Sequence, residues 1–383
     1  MPRADSGGTI SEDALNGAQS RNASNPDPMR TNGMSFFKAA KLSLLHVARR
    51  AVMSMRVRDS DWRSERLLII AYHGVSIADE HECANELYMP PDLLRARLQA
   101  LRSGGYQVLP FGLAVQRLYA GTLPPRAVAL TFDDGAHDFS EVAVPILREF
   151  QMPATVYLTT YYSERGGPVF NTMSRYLIWR ARGRTISGEG ITSHGRPLEL
   201  QTRAGIAQAA EDVRIFSQER DLSSDEKDRL LEEIAARGHV DYQSIIAQRL
   251  FHIMTPAEVA SLPRDLIDVQ LHTHRHRVPM DRDLFKREIE DNRRSLARMG
   301  LDGTKLHFCY PSGITDPTFL SWLQEASVAS ATTCFVGLAS KYDNPLMLPR
   351  LIDTAALTTL EFEGWLTGIS EFIPKRRGTS RRA

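Results

Sequence analysis

Cysteine is scarce in this 383-residue chain, and its three cysteines do not suggest a pairing. Cys83, Cys309 and Cys334 lie far apart, and no CxxC spacing occurs. That excludes a disulfide framework and a cysteine zinc site, and it fits a reducing compartment. Net charge is also lacking: 47 Lys and Arg against 46 Asp and Glu leave a formal +1, so the overall balance calls for no nucleic-acid partner. No run of about 18 apolar residues occurs, so no transmembrane helix is expected. A secretory leader is not recognisable. Residues 1–33 are polar, rich in Gly, Ser, Asn, Asp and Pro, and read as a disordered extension. On that ground the expected location is cytoplasmic, with membrane association left open by the segment that follows.

What is present reads as globular: 42% hydrophobic and 24% charged residues, enough chain for one large α/β domain with extras or for two domains. Residues 34–58 have the spacing of a basic amphipathic helix, with Phe37, Ala40, Leu44, Val47, Ala51 and Met55 on one face. Such a helix suits either an anionic membrane surface or the flank of its own domain. From residue 61 to 370 short apolar runs alternate with helical stretches. LLIIAY (67–72), YQVL (106–109), AVALTF (127–132), ATVYL (154–158), DVQLH (268–272), KLHFCY (305–310) and TTCFV (332–336) read as strands. PDLLRARLQALRS (91–103) and SEVAVPILREF (140–150) read as helices. Strand–helix alternation implies parallel pairing in an α/β sheet or barrel. Residues 165–253 break the rhythm and read as a largely helical insertion, after which Thr255-Pro256-Ala257-Glu258 announces the next helix as a capping box. The tail, 371–383, is basic and expected to be flexible.

Two clusters carry chemistry. Thr131-Phe132-Asp133-Asp134-Gly135 ends an apolar strand. Adjacent carboxylates there are costly to bury without a cation or proton to share, and the glycine permits the turn that keeps them at the sheet rim. His272-Thr273-His274-Arg275-His276 follows another apolar strand and holds three of the eleven histidines. Neutral imidazoles beside a carboxylate suit zinc or a similar divalent ion. If a helical turn begins there, His272 and His276 share a face; if the strand continues, His274 joins them as a reserve ligand. Spacing leaves both open. One aspartate with two histidines would hold a metal with open positions, able to lower the pKa of water to about 7 and to polarise a carbonyl. The second aspartate is then free to act as base.

These two motifs, in this order, resemble the first two signatures of the polysaccharide deacetylases (NodB-like domains, carbohydrate esterase family four), over about residues 66–160 and 254–355. The resemblance implies a deformed (β/α) barrel with a helical insertion. It further implies Asp134, His272 and His276 as metal ligands and Asp133 as general base, and a reaction that hydrolyses the N-acetyl or N-formyl amide of an amino sugar. The metal would be zinc, with cobalt, nickel, iron or manganese as alternatives. The third family motif carries an arginine where this chain has Cys309, in Phe308-Cys309-Tyr310-Pro311-Ser312-Gly313, and the late Leu-x-His motif is missing, since His307 is the last histidine. The poly-N-acetylglucosamine deacetylase subgroup resembles this chain at both departures: Ala71-Tyr72-His73-Gly74-Val75 matches its early Tyr-His, and Leu348-Pro349-Arg350 its Pro-Arg segment. By that resemblance His73 replaces the late histidine as acid, Arg350 orients and charge-balances Asp133, and Tyr310 with the backbone of Ser312 lines the oxyanion site. His137 and Asp138 lie close behind the first motif. The expected partner is an N-acetylated sugar, as polysaccharide, lipid-linked glycan or nucleotide sugar. An O-acetyl sugar esterase, or a barrel that binds metal and glycan without turnover, is the alternative.

Overall fold

Runs rich in Leu, Ile, Val and Ala are suited to strands buried on two faces, which is how parallel sheets read in sequence. In the computed structural model, which describes residues 38, 41–45, 53–301 and 306–373, these runs form one nine-stranded sheet. Its strands are β1 (Arg66–Tyr72), β2 (Gln107–Val108), β3 (Ala127–Phe132), β4 (Ala154–Leu158), β5 (Ile267–Leu271), β6 (His307–Cys309), β7 (Ser330–Thr332), β8 (Ala339–Ser340) and β9 (Leu351–Ile352). The order is β7-β6-β5-β4-β3-β1-β8, with β2 on β3 and β9 on β1. Every pairing is parallel except β1 with β8.

The stretch from Leu348 to Ile352 matters most for the site. Leu348 bridges Thr332 in parallel, while Leu351 and Ile352 pair with Ile70 and Ala71. One short segment thus reaches from β7 to β1 and completes a deformed (β/α) barrel. β1 and β3 are buried along almost their whole length, and their register (Ala71 with Thr131, Tyr72 with Phe132) brings two strand ends level. Phe132 then packs between the tilted rings of Tyr72 and Phe139, centroids 5.0 and 4.8 Å away.

The helices expected around the sheet form with local adjustments. Pro91–Ser103 is helical as read, with proline in its first turn. Phe139–Ala143 is a π-turn leading into the helix Val144–Phe150. Thr255 and Glu258 close the expected capping box on a helix of only six residues, Pro256–Ser261. The strand expected at 332–336 is displaced to 330–332. Beyond Thr332 the Thr333 N–H and hydroxyl both donate to Leu348 O, at 2.9 and 3.2 Å, so the chain turns toward the closing segment.

Val169–Gln248 forms a compact unit of its own. It holds the helices Phe170–Arg180, Arg203–Glu219, Ser224–Arg237 and Tyr242–Ala247 and an antiparallel hairpin, Thr185–Gly188 with Gly195–Glu199. Ser223 and Glu226 form a reciprocal cap, and Leu230, Leu231 and Ile234 make the buried stripe of that helix.

The expected extension 1–33 and the tail beyond 373 lie outside the described residues. Within 34–58, Lys41–Leu45 and Met53–Arg58 are helical. Leu45 is buried against Ile369, and Lys41 Nζ meets Glu361 Oε1 at 3.1 Å, so this part packs on its own domain. Leu44, Met53 and Met55 stay exposed. Among the described residues no helix is long and apolar enough to cross a membrane.

Candidate metal and catalytic centre

Parallel strands deliver their C-terminal ends to one rim, where α/β barrels build their sites. His73 directly follows β1, Asp133-Asp134 follow β3, His272 follows β5 and Tyr310 follows β6, while the closing segment adds Arg350.

Asp134 and Gly135 follow β3 in the left-handed region, φ 67° and 78°. This sharp reversal turns the two adjacent carboxylates to different partners. Asp134 Oδ1 lies 3.1 Å from His272 Nε2 and 3.2 Å from His276 Nε2. One donor atom from each of the three residues lies within 4.8 Å of the others. His272 Nδ1 donates to Cys309 O at 2.9 Å, which leaves its Nε2 lone pair facing the cluster. A set of one carboxylate and two imidazoles so oriented fits a divalent transition metal. Burial pushes the Asp134 carboxyl up, but His276 and His272 outweigh it and hold it well below the usual range. Burial likewise pushes His272 down, and Asp134 reverses the sign to a net rise.

The spacing of the two histidines left helix and strand open, and the chain adopts neither. After Leu271 it turns through Thr273 and His276 at φ 60° and 53°, and this brings the two rings to 4.9 Å between centroids. His274 stays outside the cluster: its Nδ1 and the Thr160 hydroxyl share a hydrogen bond of 2.8 Å.

Asp133 has a different neighbourhood. Arg350, wholly buried, donates from Nη1 to Oδ1 at 2.7 Å and from Nη2 to Oδ2 at 2.8 Å. Its remaining donors go to Thr333 O (3.0 Å), Thr131 Oγ1 (3.2 Å) and Cys309 Sγ (3.1 Å), so all five guanidinium N–H groups have partners. The burial of Asp133 favours its neutral form, yet the guanidinium wins and holds the carboxyl below its ordinary value. His73 Nε2 lies 3.8 Å from Asp133 Oδ2, and its Nδ1 is buried with no hydrogen-bond partner among the described residues.

At the β6 end the two expected oxyanion residues part company. Tyr310 is buried, its hydroxyl donating to Leu346 O at 3.1 Å and its N–H to Thr332 O at 3.2 Å, so its donors are committed inside the protein. Ser312 is exposed, at φ 55°. His137 pairs with Glu258 Oε1 at 2.9 Å, and Asp138 Oδ1 accepts the Val75 N–H at 2.8 Å; neither belongs to the cluster of three. Sequence reading missed Asn292. Its Oδ1 accepts the His272 N–H at 3.0 Å. Its signal was a lone amide on the apolar stripe Phe285, Ile289, Leu296.

Comparison with known proteins bears on the domain that carries this site. Residues 120–198 match the family model described as polysaccharide deacetylase. That span contains Asp133 and Asp134, while the histidine cluster and Arg350 lie beyond it. Poly-beta-1,6-N-acetyl-D-glucosamine N-deacetylase of Escherichia coli (strain K12) is 36% identical over 101 residues, 25% of this chain and 14% of that protein. The solved structure of Streptococcus pyogenes deacetylase PplD in complex with acetate shares the fold at TM-score 0.52 and 20% identity, over 79% of this chain and 97% of that one. Motif order, barrel and family match converge: residues 120–198 match a polysaccharide deacetylase model, and the barrel is the fold of the deacetylase structure.

Proposed function

We propose that this chain is a metal-dependent N-deacetylase, hydrolysing the N-acetyl or N-formyl amide of an amino sugar within a glycan. The observation that carries the reading is the division of labour between adjacent aspartates. Asp134 faces two imidazoles, and Asp133 faces a guanidinium and a third imidazole. A cation held by Asp134, His272 and His276 would supply Lewis acidity toward the amide carbonyl and toward water.

The chain's own groups do the rest. Asp133 is ionised and takes the proton of the attacking water, because Arg350 stabilises its charged form. His73 donates a proton to the departing sugar amine, a role that its 3.8 Å distance from Asp133 supports. The Ser312 backbone N–H, at the exposed rim of β6, faces the developing oxyanion. The sugar of the Escherichia coli relative, poly-beta-1,6-N-acetyl-D-glucosamine, is the first glycan to try.

The test is acetate release from N-acetylated sugars, including that polymer, with zinc, cobalt or nickel, against Asp133→Asn. Acetate that needs metal and disappears in the variant supports the reading. Release from O-acetylated sugars alone replaces it with an esterase, and binding of metal and glycan without release replaces it with a silent barrel.

A further inference from the structure

A pair of histidines and a carboxylate on separate loops bind a cation well only if those loops hold a fixed distance. Here the loops are unusual. The carboxylate loop carries two successive left-handed residues and the histidine loop carries two more, so neither inherits its shape from a helix or strand.

One side chain is hydrogen-bonded to the parts that fix both loops. Asn292 is wholly buried on the helix Arg282–Arg298. Its Oδ1 accepts the His272 N–H at 3.0 Å. Its Nδ2 donates to Leu158 O and to Thr160 Oγ1, each at 3.0 Å. Between those two acceptors lies Thr159, whose N–H donates to Asp134 O at 3.2 Å and whose hydroxyl donates to His274 O at 3.1 Å. The Thr160 hydroxyl bonds His274 Nδ1 at 2.8 Å. Asn292 therefore joins the histidine loop to the end of β4, and the end of β4 holds the carboxylate loop. One turn earlier Glu288 grips the far side of the histidine loop: it accepts the Arg275 N–H at 2.8 Å and Arg277 Nε at 2.7 Å.

A buried amide costs desolvation unless each of its groups is bonded. Asn292 meets that condition with both ends: Oδ1 holds the histidine loop directly, and Nδ2 holds the end of β4, which bonds the carboxylate loop and His274. We infer that Asn292 is a positioning residue that sets the spacing of Asp134 from His272 and His276; the inference rests on reading those three as a cation site. Thr160 is its relay to the end of β4.

The experiment measures cobalt affinity by chelator competition and the visible spectrum of the cobalt-loaded chain, which reports ligand geometry. It compares the full chain with Asn292→Ala, Thr160→Val, His272→Ala and the control Ile289→Val, a buried truncation on the same helix. Asn292→Ala is expected to weaken cobalt binding roughly ten- to hundredfold and to change the spectrum. Thr160→Val should do the same to a smaller degree, and Ile289→Val should change neither. Wild-type affinity and spectrum in folded Asn292→Ala overturn the inference. If Asn292→Ala does not fold, the same result in Thr160→Val overturns it. Undiminished cobalt binding by His272→Ala instead overturns the underlying cation-site reading, a failure that appears in the ligand variant itself.

Discussion

Arg350 and Asp133 face each other through two parallel hydrogen bonds, 2.7 and 2.8 Å, with both side chains out of solvent. A buried ion pair of this kind adds little net stability when intact, but removing one partner strands the other charge. Arg350→Met should therefore destabilise the fold by about 3–5 kcal/mol and abolish acetate release. Arg350→Lys keeps the charge and loses the fork, so it should fold better than Met and still turn over far more slowly. Urea unfolding and initial rates, run on both variants, check this. A lysine variant as active as wild type would remove the case for a bidentate requirement.

His73 stands 3.8 Å from Asp133 Oδ2 and outside the cluster of three possible ligands. As the acid it should matter to the rate and not to the metal. His73→Ala is expected to slow acetate release by about 10²–10⁴ while leaving cobalt or zinc affinity at the wild-type value. Loss of metal in this variant would move His73 into the ligand set.

The site was legible in sequence where chemistry and strand ends coincide. Two carboxylates after AVALTF are costly to bury unpaired, three histidines from the end of DVQLH onward are hard to explain by packing, and Asp134, His272 and His276 do meet. Local spacing was silent on how they meet, because the histidine loop relies on left-handed Thr273 and His276. Arg350 and His73 rested on family resemblance alone. An arginine 217 residues from its aspartate leaves no local trace. Barrel closure was equally hidden: the segment from Leu348 to Ile352 is too short for a periodicity, and its place follows from pairing with β1 and β7. Asn292 was overlooked because it sits among Arg, Glu and Asp in a helix whose polar face dominates its composition.

The reversal that separates the two aspartates depends on Gly135. Its φ is 78°, and a Cβ there would lie 2.3 Å from Leu158 Cδ1. An L side chain in that region costs about 1–2 kcal/mol, and the contact with buried Leu158 adds to it. Gly135→Ala should lower both stability and metal affinity, because the carboxylate of Asp134 moves with the turn. Gly183→Ala is the control, with φ 83° and nothing within 4 Å of the added Cβ. It should incur the backbone strain in unfolding assays and leave metal binding unchanged. Equal metal affinity in the two variants would detach the turn from the site.

Asp138 gives a pH dependence with a definite sign. It is buried, and burial raises its pKa from 3.8 to about 8 against the opposing hydrogen bond from Val75 N–H; Glu80 nearby adds to the rise. Its folded pKa lies above its unfolded one, so its contribution to stability is complete below pH 3.8 and is lost as pH rises through about 8. In that window the folded chain keeps a proton that the unfolded chain has released. Asp138→Asn carries no charge at any pH and keeps an oxygen for the Val75 N–H. Relative to wild type, the variant should gain stability between pH 5 and pH 9, by at most about 4 kcal/mol at ~1.4 kcal/mol per unit. Urea midpoints for both proteins at pH 5, 7 and 9 measure the gap. If it stays constant, Asp138 is ionised in the fold throughout, and the turn that carries His73 is held by a carboxylate rather than by a protonated acid.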